Sequence, residues 1–216
     1  MFIIQSQRTP RAFTSSFAIL LLALASFLVV PFARGAEAPA SGETGAPIQQ
    51  KPSALLYGVQ KAVCYSGFRH GQHPDRGTGA VNPSEKEILE DLQILNRHGN
   101  LSLIRLYDSR ENSEAVLRLI KSHQIKMKVV VGAWLDAEVS NTNCPWLKQS
   151  LPQPVLDANK LKNAKEIESA IRLARQYSNT VVAVAVGNEA LVDWNDHMVP
   201  VESVTRYVRQ VKKAVS

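Results

Sequence analysis

Four short apolar runs, separated by amphipathic stretches, limit what this chain can fold into. They are Ala62–Tyr65, Leu103–Tyr107, Lys128–Ala133 and Val181–Val186. None alternates polar with apolar residues, as expected of strands buried on both faces beneath helices. Each run is followed by a segment of helical periodicity. Pro83 and Ser84 open the first, with Ser84 and Glu87 at capping-box spacing and Ile88, Leu89, Leu92 and Leu95 on the inward face. The second runs Ser113–His123 and faces inward through Val116, Leu117 and Ile120. A long loop through Cys144, Pro145, Trp146, Pro152 and Pro154 precedes the third. That helix is expected to start near Asn163, with Glu166 at the capping offset and Ile167, Ala170, Ile171, Ala174 and Tyr177 on its apolar stripe. Glu202–Val215 is the fourth, its Arg206, Arg209, Lys212 and Lys213 forming a solvated face. Strands that alternate with helices define βα units and a parallel sheet. Four units of about 40 residues suit a barrel of eight units as well as a small open sheet. No GxGxxG or GxxxxGKS/T motif follows a strand, which disfavours a nucleotide-binding sheet.

The start of the chain is a separate matter. Arg8 and Arg11 precede an apolar run from Phe17 to Val30, and the small-residue stretch Ala33-Arg34-Gly35-Ala36 follows. Residues 1–36 therefore have the layout of a secretory signal peptide, with an uncleaved membrane anchor as the alternative. Membrane association is expected only if this leader stays attached. Residues 37–53, rich in Ala, Pro, Gly and small polar residues, read as a flexible linker, and order is expected from about Leu55 in a domain spanning 54–216. The expected location is secreted, periplasmic or cell envelope. Lys and Arg number 25 against 19 acidic residues, but the leader holds Arg8, Arg11 and Arg34 and no acid, so the remainder is close to balanced. No arginine-rich patch interleaved with aromatics occurs, so no nucleic-acid partner is expected. Cys64 and Cys144 are the two cysteines; in an exported chain they form either a disulfide or a pair of buried free thiols.

In parallel α/β folds the chemistry collects at the carboxyl ends of the strands. Those ends read CYSGFRHG (64–71), RLYDS (105–109), GAWLDAE (132–138) and GNEALVDWND (187–196). They would bring Tyr65, Arg69, Arg105, Tyr107, Asp108, Trp134, Asp136, Asn188, Glu189 and Trp194 to one rim. Aromatic rings match the apolar faces of pyranoses, and carboxylates, amides and guanidinium groups match their hydroxyls. Each residue also has a plainer role open to it. Glu189 could cap a helix or pair with an arginine, and Asn188 could satisfy loop backbone. Arg105 could hold Glu189 or Asp108 as readily as touch sugar. Tyr65 and Tyr107 could be core, and Trp134 and Trp194 could pack under loops. His70, His73 and His197 lack metal-ligand spacing, and neither a metal nor a cofactor is expected.

Three segments, VCYSG (63–67), IRLYDS (104–109) and VGNEALV (186–192), together resemble glycoside hydrolase family 17, the β-1,3-glucanase family. The resemblance covers residues 55–216. It implies a (β/α)8 TIM barrel and a glycoside hydrolase acting on β-1,3-linked glucans with retention. Glu189 would be its general acid/base, Asn188 the amide at the sugar 2-hydroxyl, and Tyr65, Arg105 and Tyr107 the lining of the catalytic subsite. Asp108, Trp134 and Trp194 are further candidates for substrate contact. A retaining site needs two carboxylates about 5 Å apart, the acid with a raised pKa. The family's nucleophile is a second glutamate in a Glu-(Ser/Thr)-Gly-(Trp/Tyr)-Pro type motif, which this sequence does not contain. Asp108, Asp136, Asp193 and Glu202 match no nucleophile position. The expectation is a barrel truncated to its first four βα units, weak or inactive alone. Its outer strand edges would be unpaired, its inward side chains uncovered, and the chain prone to self-association. The alternatives are a non-catalytic carbohydrate-binding or cell-envelope protein, a β-1,3-glucanosyltransferase, and a barrel glycosidase of a related family. The expected partner in each is a β-glucan polysaccharide or oligosaccharide.

Overall fold

The computed structural model describes residues 2–4, 60–73 and 81–215. The expected leader beyond residue 4, the expected linker 37–53 and the expected onset of order near Leu55 lie outside the described residues. The elements are β1 (Phe2–Ile4), β2 (Ala62–Cys64), α1 (Glu85–Arg97), β3 (Leu103–Arg105), α2 (Glu111–Ser122), β4 (Lys128–Ala133), α3 (Gln153–Gln176), β5 (Val181–Val186) and α4 (Val201–Val215). The sheet order is β1-β5-β4-β3-β2. β2 to β5 are parallel and pair with their chain neighbours, as consecutive βα units must. No described helix is long and apolar enough to cross a membrane.

β4 and β5 keep the predicted limits, because runs of five and six consecutive buried residues leave the boundary little freedom. β2 and β3 are shorter than the apolar runs suggest. The ladder nonetheless continues past their ends, with Tyr65 N–H donating to Arg105 O at 2.9 Å and Leu106 N–H to Val130 O at 2.9 Å. These bonds fix the backbone that carries Tyr65 and Tyr107.

The α1 capping box forms as expected: Ser84 Oγ accepts from Glu87 N–H, and the Glu87 carboxylate accepts from Ser84 N–H at 2.7 Å. α3 departs from expectation. It begins at Gln153, with Pro152 as N-cap and Pro154 in its first turn. Proline is tolerated there because the first-turn N–H groups have no intrahelical partner. Asn163 and Glu166 therefore lie well inside the helix and are buried, instead of starting it.

Packing divides the sheet by side-chain alternation. Ile104, Val129, Val131, Val184 and Val186 face the helices in the main core with Leu92, Leu117, Ile167, Leu173 and Tyr207. Leu103, Val130, Val182, Ala183 and Ala185 form a second cluster. All five are buried and form one cluster, against the expectation of uncovered inward side chains. The outer side of β5 pairs antiparallel with β1, which belongs to the expected leader, so the β5 edge is covered in the chain that keeps residues 1–36. At β2, the other end of the sheet among the described residues, all three residues are exposed.

Candidate active site

The β5–α4 loop is built around two left-handed backbone positions, Gly187 (φ 73°) and Glu189 (φ 53°). Side chains from further along the loop tie this turn down. His197 Nε2 lies 3.0 Å from the Asn188 carbonyl, and Asn195 Nδ2 donates to the Glu189 carbonyl. Asn195 is fully buried, and its own carbonyl accepts from Asn141 Nδ2 at 2.7 Å. The Glu189 backbone is thus held while its side chain is exposed.

Four predicted residues come together around this turn. Arg105, at the end of β3, donates to Asn188 Oδ1 at 2.8 Å, and its guanidinium lies 4.8 Å from the Tyr107 ring centroid. The Tyr107 hydroxyl is held above its ordinary pKa, first by a hydrogen bond with Cys64, then by burial and Cys64 electrostatics, with the Glu189 charge adding to the rise. Arg105, Tyr107, Asn188 and Glu189 therefore share one electrostatic neighbourhood at the strand ends. Trp134 joins it by stacking on His197, ring centroids 4.7 Å apart and planes 29° apart.

The other predicted residues have different placements. Tyr65 is buried and donates its hydroxyl to Asp91 Oδ2 on α1 at 3.0 Å, and burial followed by the Asp91 charge raises its pKa. Asp108 accepts from Arg110 N–H at 3.2 Å and Ser113 Oγ at 2.8 Å, anchoring the start of α2. Trp194 lies beside Trp146, half exposed. Cys64 and Cys144 are not bridged; Cys64 is exposed at the edge strand and bonded to Tyr107, while Cys144 is buried in the β4–α3 loop. Neither the disulfide nor a pair of buried thiols describes them. A cavity of about 1040 Å³ is lined by Tyr65, Tyr107, Asp108 and Trp134 along with Ser66, Phe68 and residues of α2 and α3. Glu189 is not in its wall, so this cavity and the carboxylate do not coincide. The hydrogen-bonded cluster is the better guide to chemistry, and Tyr107 links the two.

Two buried carboxylates support the rim. Glu166 Oε1 accepts from Ser109 N–H at 2.8 Å and Trp134 N–H at 3.2 Å, and its Oε2 lies 3.3 Å from Arg110 Nε. It fastens the ends of β3 and β4 to α3. Glu138 Oε1 accepts from Asn163 Nδ2 at 2.9 Å and Tyr207 OH at 2.6 Å. Burial pushes the Glu138 pKa up, but donors from Asn163, Tyr207 and Ser203 outweigh it and hold the carboxyl below its ordinary 4.5. A carboxyl lowered on folding adds stability that is fully present above its ordinary value and lost as pH falls through the folded one. Urea midpoints should therefore decline below pH 4.5, and Glu138→Gln should flatten that part of the decline while lowering the midpoint at pH 7. An unchanged acid limb in the variant would assign the decline to other groups.

Glu166, Glu138, Asn141 and His197 were not picked out as functional residues from the sequence. A signal for Glu166 does exist: Asn159, Asn163 and Glu166 follow i, i+4, i+7 spacing, in line with the buried Ile167, Ala170 and Ala174. Polar residues on a core-facing stripe imply buried backbone partners.

No family model matches the sequence, and no curated protein does. Among solved structures the chain is similar to an endo-laminarinase from Formosa Hel1_33_131, with a TM-score of 0.56 and 28% sequence identity. The match covers 76% of this chain and 40% of that one, so the chain spans 40% of the length of the enzyme it resembles. It shares the α/β fold of a glucan-hydrolase structure, with four parallel strands and their helices.

Proposed function

We propose that these βα units are the first half of a family 17-type (β/α)8 barrel, and that Glu189 is the acid/base of a retaining β-1,3-glucan hydrolase. The observation that carries this reading is the Arg105–Asn188–Glu189 arrangement at the ends of β3 and β5, with Tyr107 beside it. Similarity to an endo-laminarinase supports the same substrate class. In this reading Glu189 protonates the glycosidic oxygen as the bond breaks. Arg105 orients the Asn188 amide, which binds the hydroxyl next to the anomeric carbon. The basic start and apolar centre of residues 1–36 support export of the chain.

Retention requires a second carboxylate about 5–5.5 Å from the acid. Asp108 is engaged at the start of α2, and Glu138 and Glu166 are buried in structural networks. Asp196 pairs with His197, and Asp136, Asp193 and Glu202 match no nucleophile position of the family, so we expect the 216-residue chain to bind β-1,3-glucan without turning it over. The test pairs reducing-sugar release from laminarin with calorimetric binding of laminari-oligosaccharides. No release is expected. Binding should occur and weaken about tenfold or more in Asn188→Ala. Release that disappears in Glu189→Gln would overturn the inactivity and keep the assignment of Glu189. Absence of any oligosaccharide binding would overturn the site itself.

A further inference from the structure

Two of the three tryptophans, Trp146 and Trp194, are 53% and 49% exposed and lie side by side, ring centroids 6.1 Å apart and planes tilted by 58°. Scattered exposed apolar residues need no explanation, but two adjacent exposed indoles do. Both loops that carry them are pinned from beneath. Asn141, only 4% exposed, donates from Nδ2 to the carbonyls of Asp193 and Asn195, one on each side of Trp194, at 2.7 Å each. Its own carbonyl accepts from Cys144 N–H at 3.3 Å, in the turn leading to Trp146. Trp146 also hydrogen-bonds the Asp196 carboxylate. One buried amide thus holds both segments, and the rings keep their solvent-facing sides.

A ring pair edged by the Asp196 carboxylate fits a sugar, whose apolar C–H face stacks on the indole while its hydroxyls meet that carboxylate. The acidic surround disfavours an anionic membrane surface. The centroid spacing of 6.1 Å leaves no room for a ring between the indoles, since two stacking contacts need about 7–8 Å. The tilt matters for linkage. A β-1,4 chain is a flat ribbon and lies on one plane, whereas a β-1,3 chain turns at each linkage and presents successive faces at an angle.

Resting on the Glu189 reading, we propose that Trp146 and Trp194 form an angled outer subsite that receives the glucan beyond the unit at Glu189 and selects turning β-1,3 chains over flat β-1,4 chains. Titration of the 216-residue chain with laminari- and cello-oligosaccharides of two and six units, followed by calorimetry, tests this. Laminarihexaose should bind about tenfold tighter than the disaccharide. Trp146→Ala should remove that gain and leave disaccharide binding within about twofold, while Trp146→Phe, which keeps a ring, should restore most of it. Cellohexaose should gain nothing over cellobiose. If Trp146→Ala leaves laminarihexaose unchanged while Asn188→Ala weakens it, the subsite is wrong and the Glu189 reading stands. Equal binding of the two hexasaccharides, both lowered by Trp146→Ala, overturns linkage selection. Binding of neither series overturns the subsite together with the reading it rests on.

Discussion

Gly132→Ala is expected to destabilise this chain by about 3 kcal/mol or more, at or beyond the upper end of the range for overpacked cores. Gly132 sits in β4 opposite Ala185, where the end of β3 passes very close. A Cβ there would lie 2.2 Å from the Tyr107 carbonyl carbon, 2.3 Å from its oxygen and 2.6 Å from the Leu106 oxygen. These are main-chain atoms, so no side-chain rotation relieves the clash. The strand end has to move, and the Leu106 N–H bond to Val130 O goes with it. Against a typical total stability of about 5–15 kcal/mol, a loss of this size leaves little folded protein in a marginal domain. Urea denaturation followed by far-UV circular dichroism provides the check, and a midpoint matching the native chain would show that the sheet can open at no cost. The shift also displaces Tyr107, so oligosaccharide affinity should fall in any fraction that remains folded.

Glu166→Ala is the second large effect. The side chain is 5% exposed and serves the Ser109 and Trp134 amides and the Arg110 guanidinium. Truncation strands one buried and one partly buried N–H group and a partly buried charge, with an expected cost of about 3–5 kcal/mol. Glu166→Gln keeps the shape and one acceptor oxygen, so it should lose clearly less. The pair separates positioning from bulk stability if each is assayed well below its melting temperature. There the Ala variant should show altered near-UV signal from Trp134 and weaker oligosaccharide binding, and the Gln variant should retain both. Identical behaviour of the two variants would mean that Glu166 only fills space.

These residues also mark how far the sequence could be read. β4 and β5 were legible to the residue because each is an almost unbroken apolar run, buried throughout except at Lys128. The α1 cap was legible because Ser84 and Glu87 lie three residues apart and their bonds are local. The start of α3 was not: Pro152 and Pro154 resemble loop residues until they are seen in the first turn, where a missing N–H costs nothing. That misplacement made Glu166 look like a cap, when its partner Ser109 lies 57 positions away. Contacts at such separation leave no local trace. The strand-end motifs put Arg105, Tyr107, Asn188 and Glu189 at one rim, and these four are neighbours in the structure because parallel topology alone brings those ends together. It did not reveal that Tyr65 and Asp108 are engaged by α1 and α2, or that Cys64 pairs with Tyr107 instead of Cys144.

The left-handed backbone of Glu189 sets robustness against chemistry at a single position. Asn100 and Gln124 also have positive φ, but each lies just beyond the end of a helix, where such a residue commonly stops the turn. Glu189 follows a strand and carries a Cβ where glycine would fit with less strain, a difference of about 1–2 kcal/mol. The bonds from Asn195 and Val192 reach its main-chain oxygen, so they would survive loss of the side chain. Selection for a durable fold alone would drift toward glycine or asparagine here. A carboxylate at this position is a standing cost to the fold, which points to a role for it other than stability.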